Sequence, residues 1–584
     1  MPNQLALDRY PALLKVTGFL DDYLRRSFPD FFGPNATHPI LPIKRSKVVH
    51  DNLWGTNRFT WRELLLVDCP IIQRLRDIHQ VGLAFHVYPS AHHTRFEHCL
   101  GVVTIASRIF DAVLRRNRGE LETIRKVIAS GEDPQSYFPR LKQELRLAAL
   151  LHDAGHSLFS HASERVYQEL DMLKEASSEL KRFTGKEKGA GEVISFCFAN
   201  TASISQLLGR ASLKLIGDTS SEDYTGDIDL ANVALLIVGR ARHPFLQFLG
   251  DIVSSGFDAD KLDYLLRDAR AAGLPLRYDL DRYLYAVRLE KGYIYDDESE
   301  LQGLYNSTGA LRAERLPVGP GRRYPYFETY RLRLPASAVN AIEQIIICKM
   351  MLFSYLYHHP KVRAAEGLLE RSLGRTLTLW KVKGDPEEEI LQRFLRMTDS
   401  ALSGPFFLDS KDALVHEYSY RLLNRLLPRE VYRLWGGAAS HADRALLTDF
   451  LTDMQNKERR DQLIRKLEEA IGEELTKLNP ELGETPSDAL STTGVWVDVP
   501  KAPTFEGVDE LVIGGTEEVV GVTLMQLFPI NQWTQAYTHY RYHVRVFSFS
   551  DYWDATNTAA QSAMQRVIGI QGNAFYERVR RVRE

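Results

Sequence analysis

Eight of the seventeen histidines in this 584-residue chain fall between positions 79 and 161: His79, His86, His92, His93, His98, His152, His156 and His161. Imidazole is the commonest protein metal ligand and titrates near neutrality, so the crowding points to metal binding or proton transfer. The sharpest string is LLHDAGHSLFSH (150–161). It sets His152 and Asp153 at the end of an apolar helix, His156 four residues on and His161 five further. Adjacent nitrogen and oxygen donors suit a divalent ion, with the remaining ligands drawn from elsewhere in the chain. RFEHCLGV (95–102) places His98 at the start of another helix, and SGFDADKLDYLLRDA (255–269) offers Asp258, Asp260, Asp263 and Asp268. Taken alone, that last stretch reads as an acid-rich, well-capped helix.

The elements that must position these residues are mostly helical. LGVVTIASRIFDAVLRR (100–116), QELRLAALLHDA (143–154) and ANVALLIVGRA (231–241) repeat apolar residues at three and four, the spacing of a buried helix face. Residues 1–45 read as a leader, 117–140 as a polar insertion between helices, and 171–191 as exposed helix plus loop. Residues 286–334 alternate apolar with polar around GPGRRYP, the pattern of a β-hairpin whose tip is GPGRR (319–323). Helix resumes over 336–474, and the polar stretch 475–492 reads as a linker. A small α/β lobe follows at 493–584: strands in VWVDVP, ELVIGG, VVGVTLMQLF and YRYHVRVFSF, then a helix, then the basic YERVRRVRE as a solvated end. The expected fold is mainly α, a helical core of residues 46–335 carrying the hairpin, extended by the 336–474 helices and the C-terminal lobe.

Composition narrows the classes. With 44% hydrophobic and 26% charged residues the chain is balanced like a globular protein, not a disordered, collagen-like or disulfide-stapled one. Lys plus Arg number 73 and Asp plus Glu 76, a net charge of −3, so nothing global indicates a nucleic-acid partner. The four cysteines lie far apart, which argues against a cysteine-rich zinc site and suits a reducing compartment. The start lacks the features of a secretory signal, and the most apolar window, 339–358, carries Glu343, Gln344 and Lys349. No membrane span and a cytoplasmic location are therefore expected. No Walker A loop, GxGxxG, HExxH or internal repeat occurs.

The order His98, His152-Asp153, Asp260 resembles the signature of the HD-domain metal phosphohydrolases. The likeness is closer to one branch, the deoxynucleoside triphosphate (dNTP) triphosphohydrolases, which includes bacterial dGTPase-like enzymes and the mammalian tetrameric dNTP hydrolase. KVVHDNLWG (47–55), DCPIIQRLRDIHQVG (68–82), YPSAHHTRFEHCLGV (88–102), HDAGHSLFSH and FDADKLDYLLRD match that branch in order. The match is dense from about 47 to 285 and thin but collinear beyond.

The resemblance implies that His98, His152, Asp153 and Asp260 hold a divalent metal, Fe, Mn, Zn or Mg, the donor set leaving the element open. It implies attack at the α-phosphorus of a dNTP, giving a nucleoside and inorganic triphosphate. His156 and His161 match active-site histidines, His161 as proton donor to the departing 5′-oxygen with Glu164, where aspartate is usual, orienting it. Arg95 and Lys261 match residues that contact phosphates; Gln80, Tyr264 and Asp268 match residues that recognise the sugar. Tyr357 matches the aromatic that crowds the sugar's 2′ side, so 2′-deoxy substrates are expected. Lys47, Asp68, Gln73 and Arg76 match positions where an activating nucleotide is read between subunits, which implies a homo-oligomer, dimer or tetramer. Their alternative reading is a buried, salt-bridged helix start. Control of dNTP pools, antiviral defence included, follows from the resemblance alone.

One departure stands out. In KEKGAGE (186–192) Lys186 occupies the place of the branch's second catalytic histidine. Lysine holds phosphate well but shuttles protons near neutrality only when buried. Two rivals follow: an HD phosphohydrolase acting on another nucleotide or phosphoester, and a catalytically weak nucleotide sensor. Release of inorganic triphosphate separates them.

Overall fold

The computed structural model describes residues 7–33, 46–210, 226–295, 326–434, 456–499 and 544–569, with isolated positions between them. The hairpin tip 319–323 and the basic end 576–584 lie outside the described residues.

Three helices build the centre. Arg95–Arg116 buries a continuous apolar face (Val102, Val103, Ile105, Ile109, Phe110, Val113) and carries His98 in its first turn. Pro134–Leu151 opens on Pro134 after the Asp133 cap and ends in the fully buried LAALL run, delivering His152 and Asp153 at its C-terminus. Ala259–Ala271 is capped by Asp258, whose carboxylate accepts from the Lys261 N–H at 2.7 Å. The last helix can approach the first only because position 101 is glycine. A Cβ there would fall 2.0 Å from an Asp263 oxygen and 2.4 Å from an Arg267 nitrogen.

The fold is mainly α, as expected, and the hairpin forms where the alternation places it: Arg288–Tyr295 pairs antiparallel with Tyr326–Arg333. The expected leader is different. Residues 1–45 contain the helix Pro11–Ser27, whose Leu13, Val16, Leu20 and Leu24 are wholly buried in the principal core against Asp171–Thr184 and Ala190–Ala199. Their spacing of three and four makes one apolar stripe, and only those partner helices give it somewhere to go.

The expected linker is also different. Helix Lys457–Leu478 runs into 475–492, and a Thr485 capping box opens helix Pro486–Thr493. The C-terminal lobe accordingly begins inside the expected helical region. Strand Arg429–Leu434 pairs with Val544–Ser548, which also pairs with Trp496–Asp498, and Lys457–Leu478 and Trp553–Ile568 share this second core. Local periodicity cannot join a strand to a partner more than a hundred residues away.

Val339–Tyr357 is, by length and composition, long and apolar enough to cross a membrane, where none was expected. Half of it is buried, and Ile342, Ile345, Ile346, Leu352 and Leu356 belong to the principal core. Its last five residues, Phe353–Tyr357, form a π-helical turn, a distortion frequent at functional sites.

Candidate metal centre

His98, His152, Asp153 and Asp260 converge from the three central helices. His98 Nε2 lies 3.1 Å from Asp260 Oδ1 and 3.7 Å from Asp153 Oδ2, and His152 Nε2 lies 3.5 Å from Asp153 Oδ1 and 3.9 Å from Asp260 Oδ1. Ligand atoms of His98, His152 and Asp153 all fall within 4.8 Å of one another.

The tautomers decide whether a cation fits. His152 Nδ1 is 2.8 Å from the Ala149 carbonyl, which only accepts, so Nδ1 carries the proton. Nε2 is then a bare lone pair, and it is buried without a hydrogen-bond partner among the described residues. His98 Nδ1 likewise donates to Asp263 Oδ2 at 2.8 Å, turning Nε2 toward Asp153 and Asp260. An orphaned imidazole lone pair facing two carboxylates fits a divalent ion and is costly otherwise.

A carboxylate network holds the centre in place. Asp263 accepts from Arg267 at 2.7 and 2.9 Å and from the Trp54 indole, and Arg267 also pairs with Asp51 at 2.9 Å. Burial alone would push the His98 imidazolium down, but hydrogen bonds to Asp260 and Asp263 outweigh it and raise it to about 10. Burial would raise Asp153, yet the Arg95 guanidinium beside it holds the carboxyl well below the usual range. Sequence reasoning grouped Asp263 with the other acids and passed over Trp54, Asp51 and Arg267. The signal was present as the acid one turn beyond Asp260 and the arginine four residues later.

His156 Nε2 is 3.3 Å from Asp153 Oδ1, so the second trio adjoins the first. His161, with its side chain 70% exposed, pairs through Nδ1 with Glu164 Oε2 at 2.9 Å. Glu164 is half-buried, its side chain 13% exposed. It also accepts from the Gly191 N–H at 2.8 Å, and His156 and His161 hold its carboxyl far down despite burial. Gly191 permits this, since a Cβ there would fall 2.9 Å from the His156 ring.

Arg95 donates to Asp153 and, at 2.8 Å, to Ser160 Oγ, and its Nη2 is a buried donor with no acceptor. Lys261 is paired with Asp258 at 2.8 Å. Asp268 accepts from the Tyr357 hydroxyl and from His93 Nε2 at 2.7 Å. Tyr264 is half-buried on the same helix, and the Gln80 side-chain oxygen is buried and unpartnered. Lys186 lines a cavity of about 590 Å³ with Asp251, Asp260, Lys261 and Arg331. Burial, with Arg240 adding to it, pushes the Lys186 amine down to about 7.

The remaining expected site residues stand apart. Lys47, Asp68 and Arg76 are exposed. Gln73 donates to the Val67 carbonyl at 2.6 Å and accepts from Arg76 at 2.9 Å, while the Arg76 guanidinium lies over the Phe96 ring at 3.6 Å. The alternative of a buried, salt-bridged helix start therefore does not hold, because Asp68 reaches solvent at the end of helix Trp61–Val67.

The model of the HD domain family matches residues 95–205, the stretch from Arg95 past His161 and Glu164. Among curated relatives, the deoxynucleoside triphosphate triphosphohydrolase SAMHD1 homolog of Dictyostelium discoideum is 28% identical over 265 residues, 45% of this chain and 43% of that protein. SAMHD1 of Homo sapiens is 28% identical over 255 residues, 43% of this chain and 37% of that one. The uncharacterized protein MJ1154 of Methanocaldococcus jannaschii is 25% identical over 328 residues, 56% and 49% of the two chains. The chain thus spans less than half the length of these relatives. A crystal structure of a hypothetical protein from Aquifex aeolicus shares the fold, with a TM-score of 0.52, 20% identity, and coverage of 88% of this chain and 99% of that one. Residues 95–205, which carry His98, His152 and Asp153, match the HD domain, and the chain is similar in sequence to dNTP triphosphohydrolases over less than half of its length.

Proposed function

We propose that the chain hydrolyses dNTPs to deoxynucleoside and inorganic triphosphate with a divalent metal held by His98, His152, Asp153 and Asp260. The observation that carries this reading is the orphaned His152 Nε2 facing two carboxylates, with the buried open donor of Arg95 beside them. A bound metal supplies charge to a phosphoryl oxygen and lowers the pKa of a coordinated water. The chain's own groups do the rest. Arg95 Nη2 takes a phosphate oxygen, and Lys261, on the rim of the adjoining cavity, offers a point charge to the tail. His161, held by Glu164, gives its proton to the departing 5′-oxygen.

Tyr357, whose hydroxyl is fixed on Asp268, presents its ring to the sugar's 2′ carbon and disfavours an added hydroxyl by clash and desolvation. Lys47, Asp68, Gln73 and Arg76 read an activating nucleotide at a boundary between copies of the chain. The exposure of Lys47, Asp68 and Arg76 supports a site that one chain leaves incomplete. The test is the product set from dNTPs and NTPs with Mn, Fe, Mg and Co in ¹⁸O-water. Inorganic triphosphate bearing the label is expected; orthophosphate or pyrophosphate as first product would reject the reading.

Lys186 favours a second reading, hydrolysis of another nucleotide or phosphoester, because an amine replaces an imidazole in a cavity that also reaches Asp260. Under that reading the same assay releases a different first product.

A further inference from the structure

Two consecutive non-glycine residues, Phe159 and Ser160, have φ of 49° and 59°. Both lie in the left-handed region that side chains avoid. They immediately precede His161 and begin its helix, His161–Tyr167. A carboxylate from a distant segment holds this turn. Asp399, 320 residues from His79 and 240 from Phe159, spends both carboxylate oxygens there: Oδ1 accepts from the Phe159 N–H at 2.6 Å, and Oδ2 accepts from the His79 N–H at 2.9 Å and from His79 Nδ1. The two segments so joined are also tied to each other, since Ser160 Oγ donates to the His79 carbonyl at 2.5 Å and accepts from Arg95 Nε at 2.8 Å. A second bond clamps the turn to the same stretch of chain, from Ser157 Oγ to the Phe394 carbonyl at 2.5 Å. Beyond Asp399, His79 Nε2 and His92 Nδ1 lie 3.0 Å apart in a hydrogen bond, with Phe85 stacked on His92.

We infer that Asp399 is a positioning residue: it holds the left-handed Phe159–Ser160 turn and, through it, the aim of His161. Asp399 reaches neither the metal ligands nor the Glu164 dyad directly. Its carboxylate is needed because three donors converge on it, and an amide would keep one acceptor oxygen and set a donor where an acceptor stood. The inference rests on the reading that His161 takes part in the reaction.

The test uses the full chain loaded with Mn²⁺ and compares Asp399→Asn, His161→Ala and the double variant by release of inorganic triphosphate from dGTP. Asp399→Asn is expected to lower kcat by up to about 100-fold, the scale of a misplaced catalytic group, with KM and bound metal little changed. In the His161→Ala background it should lower the rate no further. An equal fall in both backgrounds, or a fall that follows lost metal, overturns the inference. A second readout does not depend on turnover: the rate of His161 carbethoxylation by diethyl pyrocarbonate, followed by mass spectrometry against exposed His416. A change of several-fold at His161 alone is expected, and an unchanged rate overturns the inference. Should Asp399→Asn fail to fold, Asp399→Glu, which keeps the charge and moves the acceptor, is measured in the same two ways. If the unaltered chain releases no triphosphate, the functional reading fails, and carbethoxylation alone decides the role of Asp399.

Discussion

The metal centre and the Asp68–Gln73–Arg76 cluster are both polar, both assembled from motif residues, and built on opposite principles. At the centre three of the four candidate ligands are backed by a second group: Asp263 behind His98, the Ala149 carbonyl behind His152, Arg95 behind Asp153. His98, His152 and Asp153 are buried, so an unpaired atom on any of them is costly and their arrangement is tightly constrained. At the surface cluster Asp68 and Arg76 are exposed, and only Gln73 is tied to the backbone. Solvent reaches Asp68 and Arg76, so the bond of Arg76 to Gln73 fixes the cluster only weakly. The contrast teaches where completeness lies: the buried cluster can act within one chain, whereas the exposed one acquires a function only through something that binds it.

Breaking that contrast begins at the centre. Asp153→Asn removes a carboxylate that serves as ligand and as counter-ion to Arg95. Activity should fall by about 10²–10³-fold or more, and metal content measured by elemental analysis should collapse with it. Retention of full metal would refute the four-ligand assignment. One shell out, Asp263→Asn leaves the ligands in place but loosens the His98 ring. A metal affinity about 10–100-fold weaker is expected in a chelator competition, and an unaltered affinity would make Asp263 a packing residue.

Arg76→Ala sharpens the other side. It should raise the nucleotide concentration needed for activation about tenfold, equivalent to ~1.4 kcal/mol, while metal content stays constant. Light scattering with each dNTP should show mass rising with activity. Constant mass with hyperbolic kinetics for every nucleotide would leave the cluster without a partner.

The smallest effect concerns Lys186. Its folded-state pKa of about 7 lies below the ordinary 10.5, so between these values the unfolded chain binds more protons than the folded one. Stability should therefore rise with pH across that window. Lys186→Met should flatten this part of the melting-temperature profile, and an identical slope in both proteins would mean that the amine is as well solvated folded as unfolded.

Much of the centre was legible because His152, Asp153, His156 and His161 sit in one short string, and His98 and Asp260 in two more. Which acid of 255–269 does what was not legible. Asp260 and Asp263 differ by one helical turn, and it is the approach past Gly101 that turns one toward the metal side and the other behind His98. The stripe of Pro11–Ser27 could be seen as amphipathic, but its burial depends on helices 150 residues away.

The sequence by itself determined the helical character, the hairpin, the ligand types and the order in which they occur, because these follow from local periodicity and from the chemistry of side chains a few residues apart. Tertiary structure alone decided the rest: that residues 457–478 belong to the C-terminal lobe, that Glu164 is half-buried beside His156 and Gly191, and that Asp399 reaches back to His79 and Phe159. Each of these depends on a contact between segments far apart in the chain, and such contacts are chosen by the packing of whole faces and the satisfaction of buried polar groups, quantities that no local window of sequence contains.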